Sequence, residues 1–455
     1  MVQQYDVIVL GSGCGLDIAR QAAARGKRVA LIEPGPLGGT CVNVGCIPSK
    51  MLIAPADLIV ERERARRLGV DMVVGHIDFA GIMRRMRTSR TASQRHLQHS
   101  VSEWDGVDLI RKPGLFTAPG VILAGGEQLT APLIFIAAGA RPAIPPVDGL
   151  DSVDYLTNES LLNLTELPES LIIMGGGYIA AEFCHFFAAM GTRVTVVEMA
   201  DRLVTSEEPE ISAALQHELS RRARVVTGAK VESVAPHGEG VRVTAAMTGD
   251  GRTVSFHASR LLVAVGRRSN ADVIAAGIAG VEVDRRGFIT VNGHMETNMP
   301  NVYAVGDING KSMFRHAANV QAAVAAANAL DDADVEMDYH ALPHAVYSSP
   351  QIASVGLTEA QARDAGHEVS VAVTPYSSVA KGEALGEETG FAKVVVERGS
   401  ETILGFHLIG PSAPILIQEV VNAMQSGGNI DELARGVHIH PELTELIPSS
   451  FEGLV

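Results

Sequence analysis

The sequence has few cysteines, no block of basic residues and no long hydrophobic run. Four cysteines in 455 residues are too few for the disulfide framework of a secreted domain. The net charge is −15 and lysines and arginines are not clustered, so we expect no nucleic-acid partner. No run approaches the roughly 18 apolar residues that cross a bilayer, and the N-terminus has no basic leader. We therefore expect a cytoplasmic protein without a membrane partner.

The sequence does contain a repeated unit of strand, glycine turn, helix and strand. In the first unit, YDVIVL at residues 5–10 is followed by GSGCG at 11–15 and by RVALIE at 28–33. In the second, LIIMGGGYIAAEF at 171–183 is followed by RVTVVE at 193–198. Each pattern predicts a Rossmann-like βαβ unit. The chain is long enough for roughly three domains of about 150 residues, and two of them are expected to bind dinucleotides.

The first glycine turn predicts a pyrophosphate at the N-terminus of a helix. Gly11 and Gly13 permit the tight turn and the close approach of the backbone to a phosphate. Glu33 ends the following strand, where its carboxylate is expected to accept a hydrogen bond from a ribose hydroxyl. The third glycine of the usual pattern is replaced by Leu16, with Gly15 one position early. We expect the packing of helix on strand to adapt there.

The second glycine turn follows the usual pattern more closely. Gly175 and Gly177 are present, and Ala180 takes the place of the third glycine. Glu198 ends the next strand, where a carboxylate accepts from a free 2′-hydroxyl and repels a 2′-phosphate. Only Arg202 is near enough in sequence to offset that charge. The second site is therefore predicted to prefer NAD to NADP.

Two of the four cysteines, Cys41 and Cys46, lie in the segment GGTCVNVGCIPSK. In a regular helix their Cα atoms would lie about 8–9 Å apart, whereas a disulfide needs about 4.4–6.8 Å. A bond between them requires a distorted segment, which Gly45 permits, and Pro48 suits the first turn of a following helix. A thiolate at a helix N-terminus is stabilised by the dipole.

Two other interpretations of this cysteine pair are two free core thiols and a metal site. A metal site is disfavoured because no second cysteine or histidine pair has suitable spacing. The two dinucleotide units favour a reducible disulfide over core thiols, because carriers on both sides of a dithiol make an electron path. The other two cysteines, Cys14 and Cys184, are predicted to be small packing residues.

The segment from residue 38 to 50 resembles the active-site segment of the FAD-dependent pyridine nucleotide–disulfide oxidoreductases, and the resemblance extends over essentially the whole chain. It implies that Cys46 is the flavin-facing sulfur, which forms a charge-transfer thiolate, and that Cys41 meets the substrate. It further implies that Lys50 lies beside the flavin ring, paired with Glu182 of the motif GGGYIAAE.

The same resemblance implies cofactor-binding residues and no metal ligand. AVGD resembles the second flavin motif, and AVGRRSN resembles a segment near the coenzyme in which Ser269 replaces the usual proline. The residues implied for FAD are Gly11, Gly13, Gly15, Glu33, Gly39, Thr40, Gly139, Asp307 and Ala317. The residues implied for NAD are Gly175, Gly177, Ala180, Glu198, Gly266 and Arg267.

Near the C-terminus, HIHPELTE at 438–445 matches the family pattern HPxxxE at His440, Pro441 and Glu445. The resemblance implies that His440 is the acid–base group for the substrate thiols and that Glu445 orients it. It also implies that this pair reaches the cysteines of the second subunit of a homodimer. Histidine suits proton transfer to and from sulfur near neutral pH.

The fold class implied is α/β, with two Rossmann-like dinucleotide-binding domains and a C-terminal α+β dimerisation domain. The composition shifts at about residue 338, which begins the last domain. The domains expected are FAD-binding at 1–146, NAD-binding at 147–268, a second FAD-binding part at 269–337 and dimerisation at 338–455.

The function expected is electron exchange between NAD(H) and a thiol substrate through FAD and a Cys41–Cys46 disulfide. The IPSK segment, Glu198 and HIHP resemble dihydrolipoamide dehydrogenases, for which a small dithiol or a lipoyl-bearing protein would be the partner. GSGCGL and RHAANVQAAVAAANAL at 315–330 are closer to mycothione reductases. Mercuric reductase is disfavoured because no cysteine follows Cys184. A redox-sensing flavoprotein subunit is the alternative from another class.

Overall fold

The computed structural model describes residues 2–454, which divide into two compact units. The first unit contains the chain up to residue 51 together with 83–143 and 266–337. The second unit contains 52–82, 144–265 and the chain from 338 onward.

The strands in chain order are β1 Val2–Gln4, β2 Val7–Leu10, β3 Val29–Ile32, β4 Val107–Ile110, β5 Gly114–Ala118, β6 Val121–Ala124, β7 Glu127–Thr130, β8 Leu133–Ile136, β9 Ala140–Pro142, β10 Tyr155–Leu156, β11 Ser170–Met174, β12 Arg193–Val197, β13 Arg224–Val226, β14 Ala229–His237, β15 Gly240–Met247, β16 Thr253–Ala258, β17 Arg260–Val263, β18 Arg267–Ser269, β19 Val302–Ala304, β20 His344–Val346, β21 Ile352–Gly356, β22 Val369–Pro375, β23 Phe391–Glu397 and β24 Ile403–Ile409. The α-helices are α1 Gly15–Ala24, α2 Gly39–Asn43, α3 Cys46–Arg67, α4 Phe79–Ser102, α5 Tyr178–Met190, α6 Pro209–Ser220, α7 Arg315–Asp331, α8 Glu359–Asp364, α9 Ala380–Ala384, α10 Ala413–Ser426, α11 Ile430–Ala434 and α12 Leu446–Ser449. Short 3-10 helices lie at Leu150–Ser152, Ser160–Asn163, Ala276–Ala279, Gly306–Asn309, Tyr376–Ser378 and Leu443–Glu445.

The first unit is built on a parallel five-stranded sheet with the order β19-β8-β2-β3-β4. Strands β2 and β3 are buried along their whole length, as expected for parallel strands covered on both faces. A four-stranded sheet, β1-β7-β6-β5, and an antiparallel pair, β9 with β18, complete the unit. The carboxyl ends of the parallel strands are the usual place for a ligand in such a sheet.

The second unit contains another parallel five-stranded sheet, with the order β10-β17-β11-β12-β13. Beside it the antiparallel sheet β14-β15-β16 contributes Val243 and Phe256 to a shared apolar core. The C-terminal part is an antiparallel five-stranded sheet, β20-β21-β24-β23-β22, on which α10 packs. The predicted fold class is confirmed by these two parallel sheets and the C-terminal α+β part.

A buried ion network joins the second parallel sheet's helix α6 to the C-terminal sheet. The Lys393 side chain on β23 is 2 % exposed, and its Nζ lies 3.0 Å from carboxylate oxygens of Glu208, Glu210 and Glu359. Those hydrogen bonds raise the pKa of Lys393, against the opposing and largest effect of burial. A buried ammonium needs such partners because an unpaired charge in the protein interior is costly.

Two observations concern the organisation of the chain. Residues 52–82, which we assigned to the first FAD-binding part, belong to the second unit, and the units change near 143 and 266. The domain boundaries drawn from the sequence stay predictions. The helical stretch Gly39–Arg67 is long and apolar enough to cross a membrane by length and composition, whereas the sequence was expected to contain no such run. Length and composition alone do not separate a membrane helix from a core helix.

Candidate active site

The turn after β2 leaves no room for a side chain at its first glycine. Gly11 has a φ of +100°, and a Cβ there would lie 2.3 Å from the carbonyl oxygen of Ala137. Gly39 approaches from another loop, since its own Cβ would lie 2.8 Å from the Cα of Gly13. The backbone cradle between these glycines fits a pyrophosphate at the N-terminus of α1.

Gly15 performs the packing expected of the missing third glycine. A Cβ at Gly15 would lie 2.8 Å from a methyl group of Val9, so this position lets α1 pack closely on β2. Leu16, which occupies the usual third position, is buried. The close contact between α1 and β2 is therefore made by Gly15, one residue before the usual third position, which is the adaptation expected from the sequence.

Glu33 ends β3 beside the same turn and is held in place by three hydrogen bonds. Its Oε2 accepts from the backbone N–H of Ser12 at 3.0 Å and from the Ser12 hydroxyl at 2.8 Å. Its Oε1 accepts from the backbone N–H of Gly35 at 2.8 Å. The carboxylate therefore borders the glycine turn, where a ribose hydroxyl of a dinucleotide would meet it.

The two redox-candidate cysteines lie on either side of a break between two helices. Cys41 is in α2, and α3 begins at Cys46. Gly45 occupies the break, where a Cβ would lie 2.9 Å from the carbonyl oxygen of Thr40. The distorted segment that a disulfide between these residues would require is therefore present. Both sulfurs are free thiols, which corresponds to the reduced form of the pair.

Asn43 holds the loop that carries these cysteines and was not selected from the sequence. Its side-chain amide donates to the carbonyl oxygens of Pro36, Leu37 and Gly39, at 3.1, 3.1 and 2.9 Å. Its own oxygen accepts from the amide of Gln94 on α4 at 2.7 Å. An asparagine within a glycine-rich motif, whose amide can bond to nearby backbone groups, was the signal that could have identified it.

A cavity of about 140 Å³ brings the first glycine turn and both cysteines together within the first unit. Its lining residues come from the turn, the cysteine segment, the loop after β8, the second flavin motif and the start of α7. They are Gly11, Ser12, Gly13, Cys14, Glu33, Gly39, Thr40, Cys41, Cys46, Ala137, Ala138, Gly139, Val305, Gly306, Asp307, Met313, Arg315 and Ala318.

The two thiols share a hydrogen bond that gives them different pKa values. This bond to Cys46 lowers the pKa of the Cys41 thiol to about 7, helped by Arg315 and Lys50 and opposed by burial. The same bond, with burial, raises the pKa of Cys46. The pair therefore loses one proton near neutral pH, and the resulting thiolate lies on Cys41. The thiolate is the nucleophilic form of cysteine.

Asp307, Arg267 and Ala317 all lie in the first unit. The Nε of Arg267 lies 3.3 Å from a carboxylate oxygen of Asp307, and its Nη2 donates to the carbonyl oxygen of Ala140 at 2.5 Å. Burial raises the pKa of Asp307, and Arg267 opposes that rise. The structure thus groups Arg267 with the FAD-candidate residues, although the sequence grouped it with NAD; its contact with a coenzyme stays a prediction.

The turn that carries Asp307 is supported by α7. The Oε1 of the buried Gln321 accepts from the backbone N–H of Gly306 at 2.7 Å and from the amide of Asn309 at 3.0 Å. Ala317, in the first turns of α7, is fully buried. Gly139 and Gly266 have positive φ values and open space at the Cβ position.

The second glycine turn has the same backbone geometry within the second unit. Gly175 has a φ of +112°, and a Cβ there would lie 2.4 Å from the carbonyl oxygen of Ala264. Gly177 precedes α5 and has open space above it, and Ala180 is fully buried. The Oε1 of Glu198 accepts from the backbone N–H of Ala200 at 2.6 Å. These residues fit a second dinucleotide.

His440 and Glu445 form the predicted pair. The Nδ1 of His440 lies 2.8 Å from Glu445 Oε1, with 72 % of the histidine side chain and 25 % of the glutamate side chain exposed. The hydrogen bond from His440 lowers the pKa of Glu445. The second oxygen of Glu445 accepts from the backbone N–H of Glu442. The carboxylate therefore fixes the imidazole ring, and the ring is reachable from outside.

The pairing predicted for Lys50 and Glu182 concerns residues of different units and stays a prediction. Lys50 follows the cysteines on α3, and its Nζ lies 3.4 Å from the Ser49 hydroxyl. Glu182 on α5 is 4 % exposed, and its Oε1 accepts from the backbone N–H of Tyr347 at 3.0 Å.

The remaining two cysteines have the properties of packing residues. Cys14 and Cys184 are buried, and burial raises the pKa of each thiol to about 12. Such thiols are protonated and unreactive at neutral pH. Within residues 2–454 no group of three or more histidine, cysteine, aspartate or glutamate side chains could hold a metal ion.

Comparison with family models identifies two matching regions. Residues 5–327 match the family described as "Pyridine nucleotide-disulphide oxidoreductase". Residues 342–450 match "Pyridine nucleotide-disulphide oxidoreductase, dimerisation domain".

Curated relatives align with essentially the whole chain. The chain is 36 % identical over 476 aligned positions to mycothione reductase of Mycobacterium tuberculosis, with 100 % of both chains covered. It is 34 % identical to dihydrolipoyl dehydrogenase of Chlamydia muridarum, covering 98 % of this chain and 96 % of that protein. It is 32 % identical to mercuric reductase of Staphylococcus aureus, covering 94 % and 78 %.

A similar solved structure is that of the HOCl-induced flavoprotein disulfide reductase RclA from Escherichia coli. Its TM-score against this chain is 0.87, with 27 % identity and coverage of 98 % of this chain and 99 % of that one. The likeness extends over both compact units.

Proposed function

Because the chain belongs to the pyridine nucleotide–disulfide oxidoreductase family, we propose that it exchanges electrons between NAD(H) and a small thiol or disulfide through Cys41 and Cys46. FAD and NAD(P)H are the cofactors that this family uses, as expected from the sequence. The family resemblance predicted from the active-site segment is confirmed.

The observation that carries this proposal is the shared cavity of the first unit. The Gly11 turn, Glu33 and Asp307 would hold the flavin nucleotide, and Cys41 and Cys46 open into the same space. A dithiol that loses one proton near pH 7 supplies a nucleophile under ordinary conditions. When bound, the flavin supplies two-electron transfer between nicotinamide and sulfur.

The steps on the protein's own residues follow from this arrangement. In the reducing direction the Cys41 thiolate attacks a substrate disulfide, forms a mixed disulfide and releases one substrate thiolate. His440, held by Glu445, donates the proton that this thiolate needs. Cys46 then loses its proton and attacks the Cys41 sulfur, so that the internal disulfide forms and the second substrate thiol leaves. The protein dithiol loses the two electrons that the substrate gains.

His440 would come from the second subunit of a homodimer. Support comes from the match of residues 342–450 to a dimerisation domain. The C-terminal part also exposes apolar side chains at Ile415, Val437 and Ile439, to 76, 101 and 75 %. Exposed apolar side chains mark a protein interface where they form a contiguous patch. Sedimentation equilibrium should give a dimer, and a fully active monomer would contradict this part of the proposal.

We propose NAD rather than NADP as the coenzyme. Glu198 ends β12 at the second glycine turn, where its carboxylate would accept from a 2′-hydroxyl and repel a 2′-phosphate. We also propose a cytoplasmic location for the protein, because thiols are kept reduced in the cytoplasm. Comparison of kcat/KM for NADH and NADPH tests the coenzyme, and a preference for NADPH would contradict it.

For the substrate, dihydrolipoamide is the first candidate, because IPSK, Glu198 and the HIHP segment resemble dihydrolipoamide dehydrogenases. Mycothiol disulfide is the second, because the identity to mycothione reductase is 36 % over the full length of both chains. The purified flavoprotein should be assayed with dihydrolipoamide and NAD⁺, and with mycothiol, glutathione and coenzyme A disulfides and NADH. The substrate with the highest kcat/KM decides between the candidates.

The dithiol itself is tested by substitution. Cys46→Ser should abolish turnover of disulfides and leave flavin content unchanged, because the mixed disulfide could no longer be resolved. Cys184→Ala is the matched control, since that thiol is buried away from any reaction. Undiminished turnover by the Cys46 variant would refute the proposed route. Absence of turnover by the unaltered protein with every thiol and disulfide would favour a redox-sensing role.

A further inference from the structure

Arg315 lies on the cavity that contains the redox cysteines and was not selected from the sequence. It is the first residue of α7, follows the second flavin motif in sequence and is half-buried. It lines the cavity together with Cys41, Cys46 and Cys14. A charged residue that starts an alanine-rich helix was the only sign of it in the sequence.

The place of this arginine is unfavourable for the helix that carries it. The N-terminus of a helix is the positive end of its dipole, so a cation there is destabilising. Helix α7 has 17 residues and no acidic side chain in its first turn to offset the charge. Arginine cannot lose its proton in a protein. Helix stability therefore does not explain a guanidinium at this position. The neighbouring sulfurs do explain it, because a cation stabilises a thiolate.

The other charged groups of the cavity are already paired or bonded. Asp307 lies against Arg267, with 3.3 Å between the nearest nitrogen and oxygen. Glu33 accepts its hydrogen bonds from Ser12 and Gly35. Among residues 2–454, no carboxylate forms an ion pair with Arg315.

Few groups of the first unit lower the pKa of the Cys41 thiol. Cys46 shares a hydrogen bond with it, and the positive charges of Arg315 and Lys50 favour its thiolate form. Cys14, which also lies near Arg315, is buried and protonated at neutral pH. Arg315 is thus a positive charge, without a carboxylate ion-pair partner in the described chain, that borders the same cavity as the Cys41 thiol.

We propose that Arg315 is a positioning residue that holds the reactive sulfur of the Cys41–Cys46 pair as a thiolate through its charge. This inference rests on the proposed dithiol function and adds a residue that the active-site motif does not contain. It is supported by the lowered pKa of Cys41, to which the hydrogen bond from Cys46 contributes most and Arg315 contributes the larger of the two cationic effects. No bond is made or broken by the arginine.

The test is the pH dependence of alkylation of the dithiol-reduced holoenzyme by iodoacetamide. The rate at Cys41 is followed by mass spectrometry of its peptide, because only the thiolate reacts. The unaltered protein should show a midpoint near pH 7. Arg315→Gln should raise the midpoint by about one unit, which is roughly a tenfold lower rate at acidic pH. Arg315→Lys should restore the midpoint, and Arg20→Gln, at an exposed position of α1, is the control.

An unchanged midpoint in Arg315→Gln would overturn the inference, as would an equal shift in Arg20→Gln. Flavin content and thermal unfolding show whether each variant is folded. If Arg315→Gln does not retain flavin, Arg315→His takes its place, because its imidazole loses the charge as pH rises; an unchanged midpoint there would equally overturn the inference. Failure of the unaltered protein to turn over any disulfide would sink the proposed function instead, and the alkylation profile would still be measurable.

Discussion

Replacing Gly11 by alanine should remove flavin from the protein while leaving the chain folded. The added Cβ would lie 2.3 Å from the carbonyl oxygen of Ala137, and real Cβ atoms essentially never approach closer than 3.0 Å. The ends of β2 and β8 would therefore have to separate by about 0.7 Å, the difference between these two distances.

The free-energy cost of this substitution has two sources, a stretched backbone hydrogen bond and a positive φ at residue 11. The Ala137 N–H donates to the Leu10 carbonyl at 2.7 Å, and a movement of this size would stretch that bond beyond the usual limit of about 3.2 Å. The positive φ of Gly11 adds about 1–2 kcal/mol for any residue with a Cβ. Where this strain opposes the conformation of the turn that binds flavin, about 1–2 kcal/mol corresponds to roughly five- to thirtyfold weaker binding.

Flavin absorbance relative to protein absorbance gives the occupancy, and titration of the apoprotein with FAD gives the dissociation constant. Gly26→Ala is the matched control, because Gly26 has a φ of +72° at the other end of α1 and nothing within 4 Å of its Cβ position. Gly175→Ala is the counterpart in the second unit and should keep flavin while losing affinity for NADH.

The result that would refute this reasoning is a Gly11→Ala protein that binds FAD as tightly as the unaltered protein. Loss of flavin in Gly26→Ala to the same extent would also refute it, since the cost would then come from φ alone. Loss of flavin in Gly175→Ala would contradict the assignment of one dinucleotide to each turn.

Three further predictions concern the ion network, the histidine pair and the coenzyme. Lys393→Met should lower stability to urea by about 3 kcal/mol or more, since Glu208 would stay buried without its cation; no loss in the folded variant would contradict the network's role. Glu445→Gln should lower kcat roughly ten- to a hundredfold. Because the pKa of Glu445 is lowered, its carboxylate should support His440 at every pH above the usual glutamate pKa. That support should be lost only as pH falls through the lowered pKa. A Glu445→Gln kcat–pH profile identical to that of the unaltered protein would exclude this role of Glu445. Glu198→Arg should improve kcat/KM for NADPH relative to NADH, and an unchanged ratio would exclude a selective role.

The two parallel sheets could be predicted because their signal is local. Short apolar strands that end in glycine turns, such as YDVIVL and LIIM, specify βαβ units within about 30 residues. The distortion between Cys41 and Cys46 was also local, because it depends on Gly45 and on a helix start nearby. Each of these features is determined by residues close together in the sequence.

Features that depend on residues far apart in sequence were missed. The ion pair between Arg267 and Asp307, forty positions later, was not predicted. Arg315 and Asn43 acquire their neighbours only when the sheet and helices bring distant segments together. The placement of residues 52–82 in the second unit has the same origin, since no change of composition marks it.

The ammonium of β23 and the carboxylates of α6 and α8 have a consequence for how this chain can be divided or recombined. A protein that exchanged its last hundred or so residues for a segment without this lysine would leave the buried Glu208 without its cation. Such a chimaera would regain that stability only if its new segment carried a cation at the same place on the C-terminal sheet. Any recombination of the chain therefore has to preserve the pairing between the start of α6 and strand β23.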